Sequence, residues 1–140
     1  MAVVAKFLID TSAAARMNVP AVADKLAPVI QAGLVATTAA LEAQALRSAQ
    51  NLAEYDQLRK ARRAAYEYLP TRDEHWIAAL EAQRQLIKTG SPLVGVAVLL
   101  TAVIAAEHAV TVVHYDGAFD VAAAVLEFRS EWIAPAGTLP

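Results

Sequence analysis

Apolar positions along this chain fall into short segments of strand length and longer stretches with helical spacing. Ala5 to Ile9, Leu34 to Thr38, Thr111 to His114 and Glu131 to Ala134 read as strands. A helix is expected from Val19 to Ala32, capped by Asn18, with Pro20 in its first turn and Gly33 as its stop. Pro28 inside it predicts a kink or break. Further helices are expected over Ala39 to Gln50 and over Leu52 to Leu69, where Tyr55, Leu58, Arg62, Tyr66 and Leu69 recur at helical spacing before Pro70. Thr71-x-x-Glu74 is a capping-box pattern that starts a helix from Arg72 to about Thr89, closed by Gly90. Val96 to His108 and Phe119 to Leu126 complete the set. Strands alternating with helices predict an α/β fold, with a central, mainly parallel sheet flanked by helices on both faces. No internal repeat, low-complexity tract or linker interrupts the pattern.

Two of the strands run straight into aspartates, Asp10 and Asp116. Carboxylates at the ends of parallel strands converge at the edge where α/β proteins place their ligands. Two acids brought together there begin a site for a hard divalent cation. Each also fits a plain turn, Asp10 through Thr11 and Ser12, and Asp116 through Gly117.

Composition narrows the classes. With 140 residues, 57% hydrophobic and 19% charged, the chain is expected to form one ordered domain with a real core. It has no cysteine, which excludes disulfides, thiolate metal sites and cysteine nucleophiles and fits a reducing cytoplasm. A formal net charge of −2 gives no general attraction to nucleic acid, so RNA contact requires a local patch. Arg59, Lys60, Arg62 and Arg63 form one candidate, but Glu54, Asp56 and Glu67 nearby favour a solvated helix face. The most apolar run, Pro92 to Ala106, is shorter than the roughly 18–20 residues of a membrane span and is expected to be a buried helix. The N-terminus lacks the features of a signal peptide, so a soluble, cytoplasmic protein is expected. His75 and His108 read as helix-surface or boundary residues, and His114 as a structural histidine beside Asp116. No zinc spacing, phosphate loop or Ser-His-Asp pattern is present.

Five pieces in order carry a family resemblance: FLIDTSAAAR at 7–16, GLVATTAALEAQALRSA at 33–49, YEYLPTRDEHW at 66–76, VLLTAVIAAEHAVTVVHYDGAFDVAA at 98–123 and EWIAPAG at 131–137. The chain resembles PIN-domain toxins of the VapC type, the ribonuclease half of a toxin–antitoxin pair. That resemblance implies a Mg²⁺- or Mn²⁺-dependent endoribonuclease in which a cluster of acids holds the ion. The ion neutralises developing phosphodiester charge and lowers the pKa of an attacking water.

Carried over position by position, the family's acids are only partly present. Asp10 and Asp116 match. Gln44 stands where the family has an acid on the helix after the second strand, Val98 replaces the aspartate that opens the buried helix, and Ala118 replaces a further acid two residues past Asp116. The resemblance therefore implies metal ligation by Asp10 and Asp116, with Gln44 a weak third ligand, and an attenuated or inactive nuclease. Glu42, about 200° around the helix from Gln44, is expected to face elsewhere. Asp120, four residues past Asp116, is expected at most to approach the rim and not to ligate, and Arg47 either pairs with Asp10 or Asp116 or remains a surface residue. The resemblance further implies a homodimer, and a groove at Ala13–Met17, Val29–Ile30 and Leu41–Leu46 for the helix of a VapB-type antitoxin. The competing reading is a non-catalytic module that keeps the fold and the antitoxin but no longer cuts RNA.

Overall fold

The computed structural model describes residues 3–140, so Met1 and Ala2, part of the segment read as lacking a signal peptide, lie outside it. Five strands form one sheet in the order β3-β2-β1-β4-β5, every neighbouring pair parallel. They are β1 (Phe7–Ile9), β2 (Val35–Thr37), β3 (Glu67–Tyr68), β4 (Thr111–His114) and β5 (Arg129–Trp132). The helices among the described residues are α1 (Thr11–Ala14), α2 (Pro20–Gln31), α3 (Ala39–Leu46), α4 (Leu52–Ala65), α5 (Asp73–Lys88), α6 (Val96–His108) and α7 (Ala118–Ala122).

Parallel strands need helices on both faces, so their residues must be apolar on both. β4 meets that demand. Val112 packs with Leu8, Ile104 and Phe119 on one face, and Val113 with Val22, Leu26 and Ile133 on the other. α6 is apolar nearly all round and is accordingly buried, with Leu99 and Leu100 against Ala79, Ala82 and Leu86 of α5. Gly33 and Gly90 stop α2 and α5 in the left-handed region, as their positions suggested. α6 ends the same way without a glycine, on Ala109 at φ 55°. Among the described residues, no helix is long and apolar enough to cross a membrane.

Several boundaries differ from the sequence pattern, each for a local reason. The helix expected to Leu69 stops at Ala65, and Glu67–Tyr68 instead extend the sheet beside β2. Residues just before Pro70 are biased toward extended backbone, and tyrosines favour strands. The Glu67 carboxylate accepts from the Val4 and Ala5 amides at 3.0 and 2.8 Å, which holds this edge in place. α2 begins at Pro20 after Val19 rather than Asn18, and it runs through Pro28 without breaking. α5 is capped not by Thr71 and Glu74 but by His75, whose Nδ1 accepts the Arg72 amide at 2.9 Å. α3 is four residues shorter than expected, α7 ends at Ala122, and β5 starts two residues early.

Candidate active site

β1 and β4 lie side by side with Ile9 opposite Val113, so the residues just past them share one edge of the sheet. The Asp10 amide donates to the Val113 carbonyl at 2.9 Å and extends that pairing by one step. Asp10 is buried, 7% exposed, and caps α1: its Oδ2 accepts from the Ser12 amide at 3.0 Å and the Ser12 hydroxyl at 2.6 Å. The Ser12 Oγ in turn accepts the Tyr115 amide at 2.8 Å. One hydroxyl thereby joins the end of β1 to the end of β4. The turn reading of Asp10 capping through Thr11 or Ser12 captures the contact to Ser12 but not its relay to Tyr115. The Asp-x-Ser spacing of a helix cap was the available signal.

Asp116 lies two residues beyond β4, half-buried, with its Oδ1 accepting the Ala118 amide at 2.9 Å. Its own amide donates to His114 Nδ1 at 3.2 Å. A neutral His114 ring therefore carries its proton on Nε2, which has no partner among the described residues. The ring is fully buried, 4.7 Å from the Phe119 ring and 5.0 Å from that of Trp132. Burial pushes its pKa below the ordinary imidazole value, against the upward pull of Asp120, Asp10 and Asp116.

α3 brings Gln44 to the same edge, where its Oε1 accepts from the Thr11 hydroxyl at 2.9 Å. Glu42, on the other side of α3, accepts from the Thr37 hydroxyl at 2.7 Å and pairs with Arg62 at 2.7 Å. Val98, in the first turn of α6, is half-buried and packs against both apolar clusters that α6 joins. Ala118 opens α7 and supplies only its amide to Asp116. Asp120 is exposed and accepts from the Trp132 indole at 3.1 Å. Arg47 is exposed and forms no ion pair with Asp10 or Asp116 among the described residues.

The fold thus gathers Asp10, Asp116 and Gln44 at one edge, while Val98 stays half-buried in the first turn of α6 and offers no oxygen. A divalent ion such as Mg²⁺ takes carboxylate oxygens and keeps several waters. Here Asp10 Oδ2 and Gln44 Oε1 already accept from Ser12 and Thr11. No three His, Cys, Asp or Glu side chains among the described residues gather to hold a metal. Two carboxylates and a committed amide are a poor donor set for that ion.

No protein-family model matches the chain. Among curated proteins, it is 34% identical over 134 residues to Ribonuclease VapC21 of Mycobacterium tuberculosis, spanning 95% of this chain and 97% of that protein. It is 36% identical over 134 residues to Ribonuclease VapC51 of the same organism, spanning 96% and 97%. Among solved structures, VapBC-1 from nontypeable Haemophilus influenzae superposes with TM-score 0.70 at 11% identity, over 91% of this chain and 97% of that one. VapBC2 from Rickettsia felis bound to a promoter DNA fragment gives 0.68 at 13%, over 90% and 98%. The structural matches show a shared fold. With relatives more than a third identical along almost its whole length, the chain belongs to the VapC ribonuclease family.

Proposed function

We propose that this protein is a VapC-type toxin by descent, built to hydrolyse RNA phosphodiesters with Mg²⁺ or Mn²⁺, whose nuclease site is now attenuated or inactive. The observation that carries the reading is the acid count at the edge formed by β1 and β4. Asp10 and Asp116 hold the family's positions, while an amide, a valine and an alanine occupy the other three. Losing two or three formal negative charges from a small site removes much of its attraction for a divalent cation at any dielectric. Asp10 and Asp116 would be the remaining ligands, with Gln44 a weak third.

A retained binding role is the second reading, and a separate observation favours it. A cavity of about 190 Å³ lies between α1, α2 and α4, lined by the apolar Ala14, Met17, Leu26 and Ile30 together with Thr37, Arg62 and Tyr66. It suits the apolar side of a partner helix, and the solved neighbours are toxin–antitoxin complexes. The partner is then a VapB-type antitoxin, with the toxin itself a homodimer. Titrating Mn²⁺ while following thermal unfolding separates intact from attenuated sites. The chain as written should show no shift, and a Gln44→Glu, Val98→Asp variant a clear rise. A rise of several degrees in the unaltered chain would mean that two acids suffice and would overturn the attenuated-site reading.

A further inference from the structure

α4 is fourteen residues long, yet it alone among the helices described here has no buried residue. Between it and α3 lies a cavity of about 650 Å³, whose walls include Glu42, Tyr55, Arg59, Arg63, Tyr66 and Tyr68. The acid in this wall is already neutralised, because Glu42 is held by Arg62 at 2.7 Å and by the Thr37 hydroxyl at 2.7 Å. Arg59 and Arg63 stand one turn apart, both exposed, and make no ion pair or side-chain hydrogen bond among the described residues. The cavity therefore carries two uncommitted positive charges on a chain whose formal net charge is −2. Tyr55 and Tyr68 leave 36% and 55% of their surface open beside those charges.

This basic, aromatic cavity adjoins the smaller one between α1, α2 and α4, because Thr37 and Tyr66 line both. There Arg62 is paired with Glu42, which leaves the aliphatic Met17, Leu26 and Ile30 to meet a ligand. A ligand that fills the pair needs aliphatic groups at one end and anionic groups at the other. A polypeptide segment meets both requirements. A nucleic acid strand offers phosphates for the arginines but no aliphatic side chains for Met17, Leu26 and Ile30 to enclose. We infer that the α3–α4 cavity is a carboxylate subsite, in which Arg59 and Arg63 select a protein partner by acidic residues placed just beyond its apolar anchors. The inference rests on the reading that the α1–α2 groove receives a partner segment. Arginine forks bind carboxylates in paired hydrogen bonds, and complementary charge discriminates between partners sharing one apolar pattern.

The test is selection from a displayed library of randomised helical peptides, using the full chain and an Arg59→Gln, Arg63→Gln double variant as parallel baits. The wild-type chain should enrich peptides with apolar anchors followed by Asp or Glu, whereas the double variant should keep the anchors and lose the acids. A peptide selected on the wild type should bind about tenfold more weakly for each arginine removed. Its Asp/Glu to Asn/Gln counterpart should bind both baits equally. Apolar enrichment without acids on the wild type would overturn the carboxylate subsite and leave the groove reading standing. No enrichment over an unrelated bait would remove the groove reading and this inference together. A uridine octamer that binds the wild type, loses affinity in the double variant and outcompetes the selected peptides would overturn it in favour of RNA. Circular dichroism of the double variant, whose changes are both on the exposed helix surface, verifies that the fold is intact.

Discussion

Ser12 fixes the relative position of the two strand ends. Its hydroxyl donates to Asp10 and accepts from Tyr115, and its amide completes the cap of α1. Ser12→Ala leaves the Tyr115 amide and the Asp10 carboxylate each short of a partner, so unfolding in urea should show a loss of about 1–2 kcal/mol. A loss within error of zero would mean that the hydroxyl relay does not order the edge. Val98 works in the opposite sense. Its methyl groups join two apolar clusters, so Val98→Asp sets a charge against them and should cost about 1–3 kcal/mol in the same assay. That cost would place the substitution among those that trade chemistry for stability. An aspartate tolerated without loss would contradict the inward packing of this position.

At the level of elements, α6 and α4 are opposite extremes. α6 is enclosed by α5, α7 and the sheet, while no residue of α4 is buried. Amide hydrogen exchange should therefore be slowest in α6, close to the global unfolding limit, and orders of magnitude faster along α4. Comparable protection in the two helices would show that α4 is anchored by more than its packing implies. The end of α6 offers a second check. Ala109 adopts a left-handed conformation that costs an L-residue roughly 1–2 kcal/mol, so Ala109→Gly should stabilise by about 1 kcal/mol once the extra chain entropy of glycine is deducted. α6 and β4 were legible to the residue because their apolar runs are long or bounded by clear stops. β3 was not, because Tyr66, Glu67 and Tyr68 continue the helical spacing of α4, and it is the pairing with β2, held by the Glu67 carboxylate on Val4 and Ala5, that makes them a strand. The positions of Asp10, Gln44 and Asp116 could be read from motif order. The commitments of their oxygens to Thr11, Ser12 and Ala118 are tertiary facts that no spacing encodes.

For the molecule as a whole, burial of His114 makes stability depend on pH in a defined direction. Its folded-state pKa lies below the ordinary value, so the unfolded chain binds more protons once the pH falls below about 6.5. The contribution of His114 is present in full above that value and is lost as pH falls through the folded pKa. His114→Gln should flatten the profile below about pH 6.5. An unchanged slope would exclude the buried ring as its source. The proposed function is that of a VapC fold that keeps its sheet and core while its cutting chemistry at the edge of β1 and β4 is lost. RNA cleavage in Mg²⁺ or Mn²⁺ tests it directly, comparing the chain as written with the Gln44→Glu, Val98→Asp variant on the same single-stranded substrates. A disabled site predicts cleavage by the variant alone, abolished again when Asp10→Asn is added. Metal-dependent cleavage by the unaltered chain at a comparable rate would contradict it.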